Sequence, residues 1–134
     1  MAAGRVDALD HPAFHRGLDL YARGEFFECH EVWEDLWRPS RQPERLFLQA
    51  LIHLAVAFHH HQRNNRDGAT RQMTKALRKL AGYLPRFGRF DTQSLYESGL
   101  EWLEAVKAGR DPGRYPRLSR GSGPTRLAPS FPRG

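Results

Sequence analysis

Apolar residues crowd one stretch of the chain, Leu46 to His61, which reads LFLQALIHLAVAFHHH. At about 100° per residue, Leu46, Phe47, Leu48, Ala50, Leu51, Ile52, Leu54, Ala55, Val56, Ala57 and Phe58 cover almost the whole circumference of a helix. Such a helix must be surrounded by protein or by lipid. The apolar run is shorter than the roughly 20 residues a membrane span needs, so the pattern predicts the central helix of a soluble domain. Three polar residues interrupt it. Gln49, His53 and His60 fall within roughly 40° of one another on the same projection. A polar stripe on a buried helix costs about 1–3 kcal/mol per unpaired group, which predicts that another element points back at it. The candidate is Phe27 to Trp37, FECHEVWEDLW.

The flanking pattern predicts four more helices. Asp10 caps the first, with Pro12 in its first turn and Phe14, Leu18 and Tyr21 as its stripe, and Gly24 ends it. The second runs from about Glu25 to Arg38, where Pro39 stops it. The central helix opens at Glu44 and continues to about Asn64. A fourth, from Arg66 or Asp67 to Tyr83–Leu84, turns Ala69, Met73, Ala76, Leu77 and Leu80 inward and Arg71, Lys75, Arg78 and Lys79 outward; Pro85 ends it. A fifth, capped by Asp91 or Thr92 and closed by Gly109, carries Leu95, Tyr96, Trp102, Leu103 and Val106. No segment alternates with period two, so no strand is predicted. The expected fold is all-α: a compact bundle of about five helices built from antiparallel helical hairpins, with an irregular C-terminal tail. Residues 1–9 are expected to fray, 10–108 to form one helical domain, and 109–134 to be a basic Pro/Gly/Arg-rich tail.

Composition changes this picture in one respect. The formal charge of +6 on 134 residues is concentrated in the tail. Arg110, Arg114, Arg117, Arg120, Arg126 and Arg133 against Asp111 give the tail +5 and leave +1 for residues 1–108. Such a tail suits contact with acidic partners, or is simply a solvated end. Leu118, Leu127 and Phe131 are the residues able to pin it to the body. The single cysteine, Cys29, rules out an intramolecular disulfide and fits a reducing cytoplasm. The absence of an apolar stretch after Met1 predicts no secretory signal. Neither a helix-turn-helix spacing nor an arginine-rich recognition helix stands out, so no specific nucleic acid is expected as a partner. Trp33, Trp37 and Trp102 read better as core than as a base-stacking platform.

The chemistry-bearing residues gather on the second helix. Phe26, Cys29, Val32, Trp33, Leu36 and Trp37 share its apolar face, which makes Cys29 a small buried hydrophobe rather than a nucleophile. His30 and Glu34, four residues apart, lie beside that face, with Glu31 and Glu28 further round. Three readings stand. His30 and Glu34 with His53 and His60 suit a divalent metal such as zinc, iron or manganese, as helical bundles build such centres. His30-Glu31-x-x-Glu34 also resembles a zinc-protease helix with its second histidine replaced, in which Glu31 is the candidate general base. A metal-free site would use the same side chains for proton transfer or to hold a polar ligand. The third reading is purely structural, an i,i+4 pair contributing a few tenths of a kcal/mol.

Together, FFECHEVWEDLWR (Phe26–Arg38) and ERLFLQALIHLAVAFHHHQRNNRDGA (Glu44–Ala69) resemble the bacterial and archaeal family called domain of unknown function 309. The resemblance covers about residues 14–84. It implies a small all-α fold of stacked helical hairpins and supplies no established activity. The family's polar signature maps to Glu28, His30, Glu31, Glu34, Gln49 and His53. The expectation is a polar site between the second and third helices, binding a ligand or assisting hydrolysis with a metal. The competing expectation is a non-enzymatic protein-interaction module in which these residues are structural.

Overall fold

The computed structural model describes residues 7–118. The remaining arginines of the tail, with Leu127 and Phe131, lie outside the described residues. Five helices follow one another: α1 (Pro12–Ala22), α2 (Phe26–Trp37), α3 (Glu44–Gln62), α4 (Arg66–Leu80) and α5 (Thr92–Lys107). Single 3₁₀ turns precede α1 (Ala8–Asp10) and follow α4 (Ala81–Tyr83). The described residues hold no strand beyond one isolated bridge between Phe87 and Phe90, as the period of the sequence predicts.

The helix ends follow local chemistry. Asp10 lies inside the first 3₁₀ turn, so the cap of α1 is His11 instead, whose Nδ1 accepts from the Ala13 N–H at 2.9 Å. Gly24, at φ +76°, lets the chain leave α1 and enter α2 without a loop. Asn64 takes the same left-handed conformation after α3, at φ 60°. Its neighbour Asn65 belongs to the next helix, where its side chain accepts from the Gly68 N–H and caps α4. Asp91 caps α5 through the Ser94 N–H.

α3 is the rod the others wrap. Phe47, Leu48, Ala50, Leu51, Leu54, Ala55, Ala57 and Phe58 have no accessible surface. The two hairpins are antiparallel: Phe27 of α2 meets His59 of α3 while Trp37 meets Arg45, and His53 and His60 of α3 meet Gln72 and the Gly68 end of α4. α5 packs on α4. Its Trp102 joins Tyr21, Phe26 and Tyr115 around Phe58, with ring centroids 5.0, 5.9, 5.2 and 4.9 Å away respectively. Trp33 and Trp102 are thus core, as their spacing implies.

The segment after α5 is irregular but not free. Tyr21 donates its hydroxyl to the Pro116 carbonyl, His61 hydrogen-bonds Tyr115 at 2.9 Å, and Leu118 packs against the core. The expectation of a solvated end fails for this stretch because Tyr115 and Pro116 complete the aromatic cluster around Phe58.

Gly17 sets the distance between α1 and α2. A β-carbon there would fall 2.0 Å from Trp33 Nε1 and 2.5 Å from two further ring atoms. The indole is fully buried and donates to the Phe14 carbonyl, so it has nowhere to retreat. Gly17→Ala is expected to lower stability by roughly 3 kcal/mol, read as a reduced urea midpoint. Gly82→Ala, which meets nothing within 4 Å, should raise it by about 0.5 kcal/mol through the unfolded chain.

Candidate functional site

The rotation of α2 is fixed from its buried side. Trp33 Nε1 donates to the Phe14 carbonyl at 3.2 Å and Cys29 Sγ to the Gly17 carbonyl at 3.3 Å. Burial pushes the Cys29 thiol far above its usual range, so it stays protonated and inert. With that face pinned to α1, Phe27, His30 and Glu34 come to lie on the edge of α2 that overlooks α3. Arg45 locks the far end. Its Nη1 donates to the carbonyls of Trp37, Arg38 and Ser40 at 3.0, 2.9 and 3.2 Å. Its guanidinium also lies 4.1 Å from the Trp37 ring centroid.

His30 Nδ1 is 2.9 Å from the Phe27 carbonyl, which can only accept, so that nitrogen carries the proton. Its Nε2 faces Glu34 at 3.9 Å, and Glu34 stands at the same distance from Arg38. Phe27 is 46% exposed, the most exposed large hydrophobic side chain among the described residues. It is held between two imidazoles, with ring centroids 5.3 Å from His30 and 5.2 Å from His59. Burial holds His59 below the usual histidine range, aided by Arg63, His60 and His30 and opposed by Glu28. Phe27 did not figure among the expected site residues. Its signal was present in the Phe26-Phe27 pair, since neighbours about 100° apart cannot both face one core.

The polar stripe of α3 faces elsewhere than predicted. His53 donates from Nδ1 to Gln72 Oε1 of α4 at 2.7 Å. Burial lowers its pKa, as do Lys79 and Lys75, while the hydrogen bond to Gln72 opposes them. His60 turns to Asn65 at 3.1 Å and packs on Gly68. So α4, not α2, supplies the partners of His53 and His60. Gln49 lies about 40° from His53 toward α4 and about 80° from His59 toward α2. It therefore looks outward between the two flanking helices. It is half-buried, and among the described residues its amide finds no hydrogen-bond partner.

α2 does not close over the stripe. The two helices beside α3 form the banks of an open seam, with His30 and Glu34 on one bank, Gln72, Lys75 and Lys79 on the other, and Gln49 and His53 along the floor. Glu28 and Glu31 are exposed further round α2, toward solvent, with Glu28 still within electrostatic reach of His59. The expected metal set does not assemble: among the described residues no three His, Cys, Asp or Glu side chains gather closely enough to hold a metal ion. The reason is rotational. His53 and His60 are committed to α4, and His30 and Glu34 to each other. Glu31, the expected general base of that site, stands exposed on α2. No helix among the described residues is long and apolar enough to cross a membrane.

Comparison with known proteins agrees with the resemblance read from Phe26–Arg38 and Glu44–Ala69. The model of the family described as "Domain of unknown function (DUF309)" matches residues 14–72. That stretch spans α1 to α3, the first half of α4 and all five seam residues from His30 to Gln72 discussed above. The "Uncharacterized protein YpuF" of Bacillus subtilis (strain 168) is 38% identical over 65 residues, covering 47% of this chain and 37% of the relative. The chain thus spans well under two thirds of that relative's length. No solved structure matches.

His53 makes a pH-dependent contribution of known sign. Its folded pKa lies below the ordinary histidine value of 6.5, so the unfolded chain binds more protons as pH falls. This contribution is complete above about pH 6.5 and is lost as pH falls through that value toward the folded pKa. The urea midpoint of the wild type should therefore drop between pH 7.5 and 5.5. His53→Gln should show a shallower drop, and an NMR titration should place the His53 ring below free histidine.

Proposed function

We propose that the seam between α2 and α4 is the ligand-binding surface of this protein, with Glu28, His30, Glu34, Gln49 and His53 as its binding residues. The observation that carries this reading is the Gln49 amide. It is half-buried at the centre of the seam, between His30, which is held by the Phe27 carbonyl, and His53, which is held by Gln72, and among the described residues it has no hydrogen-bond partner of its own. The amide still reaches solvent, so in the free protein water occupies the positions where a ligand would donate and accept. A ligand that makes those hydrogen bonds displaces that water.

The banks define the class of ligand. On the α2 side stand the Glu28 and Glu34 carboxylates and the exposed face of Phe27, a combination that attracts a cation. On the α4 side Lys75 and Lys79 face His53, which suits a carboxylate or phosphate. The ligand is therefore a small zwitterion, with its cationic group toward α2 and its anionic group toward α4. For the metal-assisted hydrolytic alternative, no ligand set gathers among the described residues. A helix-docking module is not favoured either. The large exposed hydrophobics among the described residues are Phe27 and Leu100, which sit on α2 and α5 rather than in one patch.

The test uses a series of ω-amino carboxylic acids of increasing chain length, titrated into isotopically labelled protein. Shifts are expected at the Gln49 side-chain amide and at the His30 and His53 rings, largest for the chain that spans the banks. Gln49→Leu should abolish them while leaving the urea midpoint unchanged or slightly raised. Saturating titration without shifts at these groups would overturn the reading.

A further inference from the structure

The seam lies between two helices of opposite charge. On α2, Glu28 and Glu31 are exposed, and among the described residues neither forms an ion pair. On α4, Arg71, Lys75 and Arg78 are exposed and Lys79 is half-exposed, and the same holds for them. The two rows cannot neutralise each other within one chain, because α3 lies between them. Each is the electrostatic complement of the other.

The geometry points to a second copy of this chain as the body that closes the seam. Consider two copies docked face to face across it. A two-fold axis running along α3 places α2 of each copy over α4 of the other, acid on base twice over. An axis running across α3 would stack α2 on α2 and α4 on α4, like on like. Charge therefore selects one of the two symmetric arrangements. The selected one also aligns the rows in register. Both flanking helices run antiparallel to α3, and their N-terminal ends lie level with its C-terminal end, since Phe27 meets His59 and Gly68 meets His60. Glu28 and Glu31 of one copy thus come opposite the Arg71–Lys75 end of the other. Exposed Phe27 enters the same contact and loses its solvent exposure.

The dimer deepens the ligand reading and rests on it in one respect: the seam, open in one chain, becomes an enclosed polar chamber in two. Each copy then contributes cations to the other's acidic bank. An enclosed amide and carboxylate interact with a zwitterion far more strongly than exposed ones, because water no longer competes.

Sedimentation velocity of the full chain tests the proposal by charge exchange. The wild type should dimerise at low salt and weaken by roughly tenfold on raising salt from about 50 to 300 mM, as screening requires. The variant Glu28→Lys/Glu31→Lys should be monomeric, and so should Lys75→Glu/Arg78→Glu, each still unfolding cooperatively, with a urea midpoint lowered only by the lost helix-end contribution of Glu28 or Arg78. An equimolar mixture of the two should dimerise again, because the reversed α2 of one meets the reversed α4 of the other. A monomeric wild type at several hundred micromolar would overturn the proposal. So would dimers of either variant alone as tight as wild type, or a mixture that stays monomeric. Gln49→Leu should dimerise like wild type. A monomeric protein that still shows the amino-acid shifts at Gln49 sinks the dimer and leaves the ligand reading standing; a dimer without those shifts does the reverse.

Discussion

A helix that is apolar around most of its circumference has to be wrapped, and this chain has too few helices to wrap one completely. That shortage governs the structure. α2 and α4 each cover one flank of α3, while the aromatic cluster of Tyr21, Phe26, Trp102 and Tyr115 covers the end of its back at Phe58. One narrow sector remains, and it is the sector where the sequence places Gln49 and His53. The polar residues of α3 mark the part of the rod that its neighbours do not reach. They are therefore the rim of the core and not a break in it.

This distinction explains what could and could not be read from the chain. The five helices, their order and the identity of the central rod were legible because the 3.6-residue period is a local property, and Pro39, Pro85, Gly24 and Gly109 punctuate it. The position of Gln49, His53 and His60 on one stripe was legible for the same reason. Which neighbour faces that stripe was not, because rotation about a helix axis is set by distant contacts. α2 is turned by Trp33 against Phe14 and by the Gly17 gap, neither of which a projection of α2 contains. The pairing of His53 with Gln72 likewise depends on how closely α4 approaches, and Gly68 permits that approach at a point where a side chain would strike His60. The packing of Tyr115 and Pro116 was missed because it has no period at all. One tyrosine in a Pro/Arg-rich segment carries no signal until Phe58 and His61 are placed beside it.

Two structural pairs frame the seam, and each helps determine which groups remain for chemistry. His30 is held by the Phe27 carbonyl and faces Glu34; His53 is held by Gln72 and kept neutral by burial and two lysines. A metal would need these imidazoles to converge, and their hydrogen bonds hold them apart on opposite banks. What is left between them is an amide that donates and accepts, with negative charge to one side and positive charge to the other. That arrangement orients a dipolar molecule by electrostatics before any close contact forms.

The separation of charge between α2 and α4 has a partial explanation within each helix. Acids near a helix N-terminus and cations near a C-terminus are stabilised by the macrodipole, by about 0.3–1 kcal/mol each. That accounts for Glu28 in the first turn of α2 and for Arg78 and Lys79 in the last turn of α4. It does not account for Glu31, Arg71 or Lys75, which lie beyond the reach of the end charges. Asp67 stands four residues before Arg71, a spacing that suits local neutralisation, but among the described residues no ion pair forms between them. Mid-helix and exposed, Glu31, Arg71 and Lys75 form no ion pair among the described residues. They are free to meet solvent or the second copy proposed above, and charge on the two banks, more than the imidazoles first singled out, is what that proposal uses.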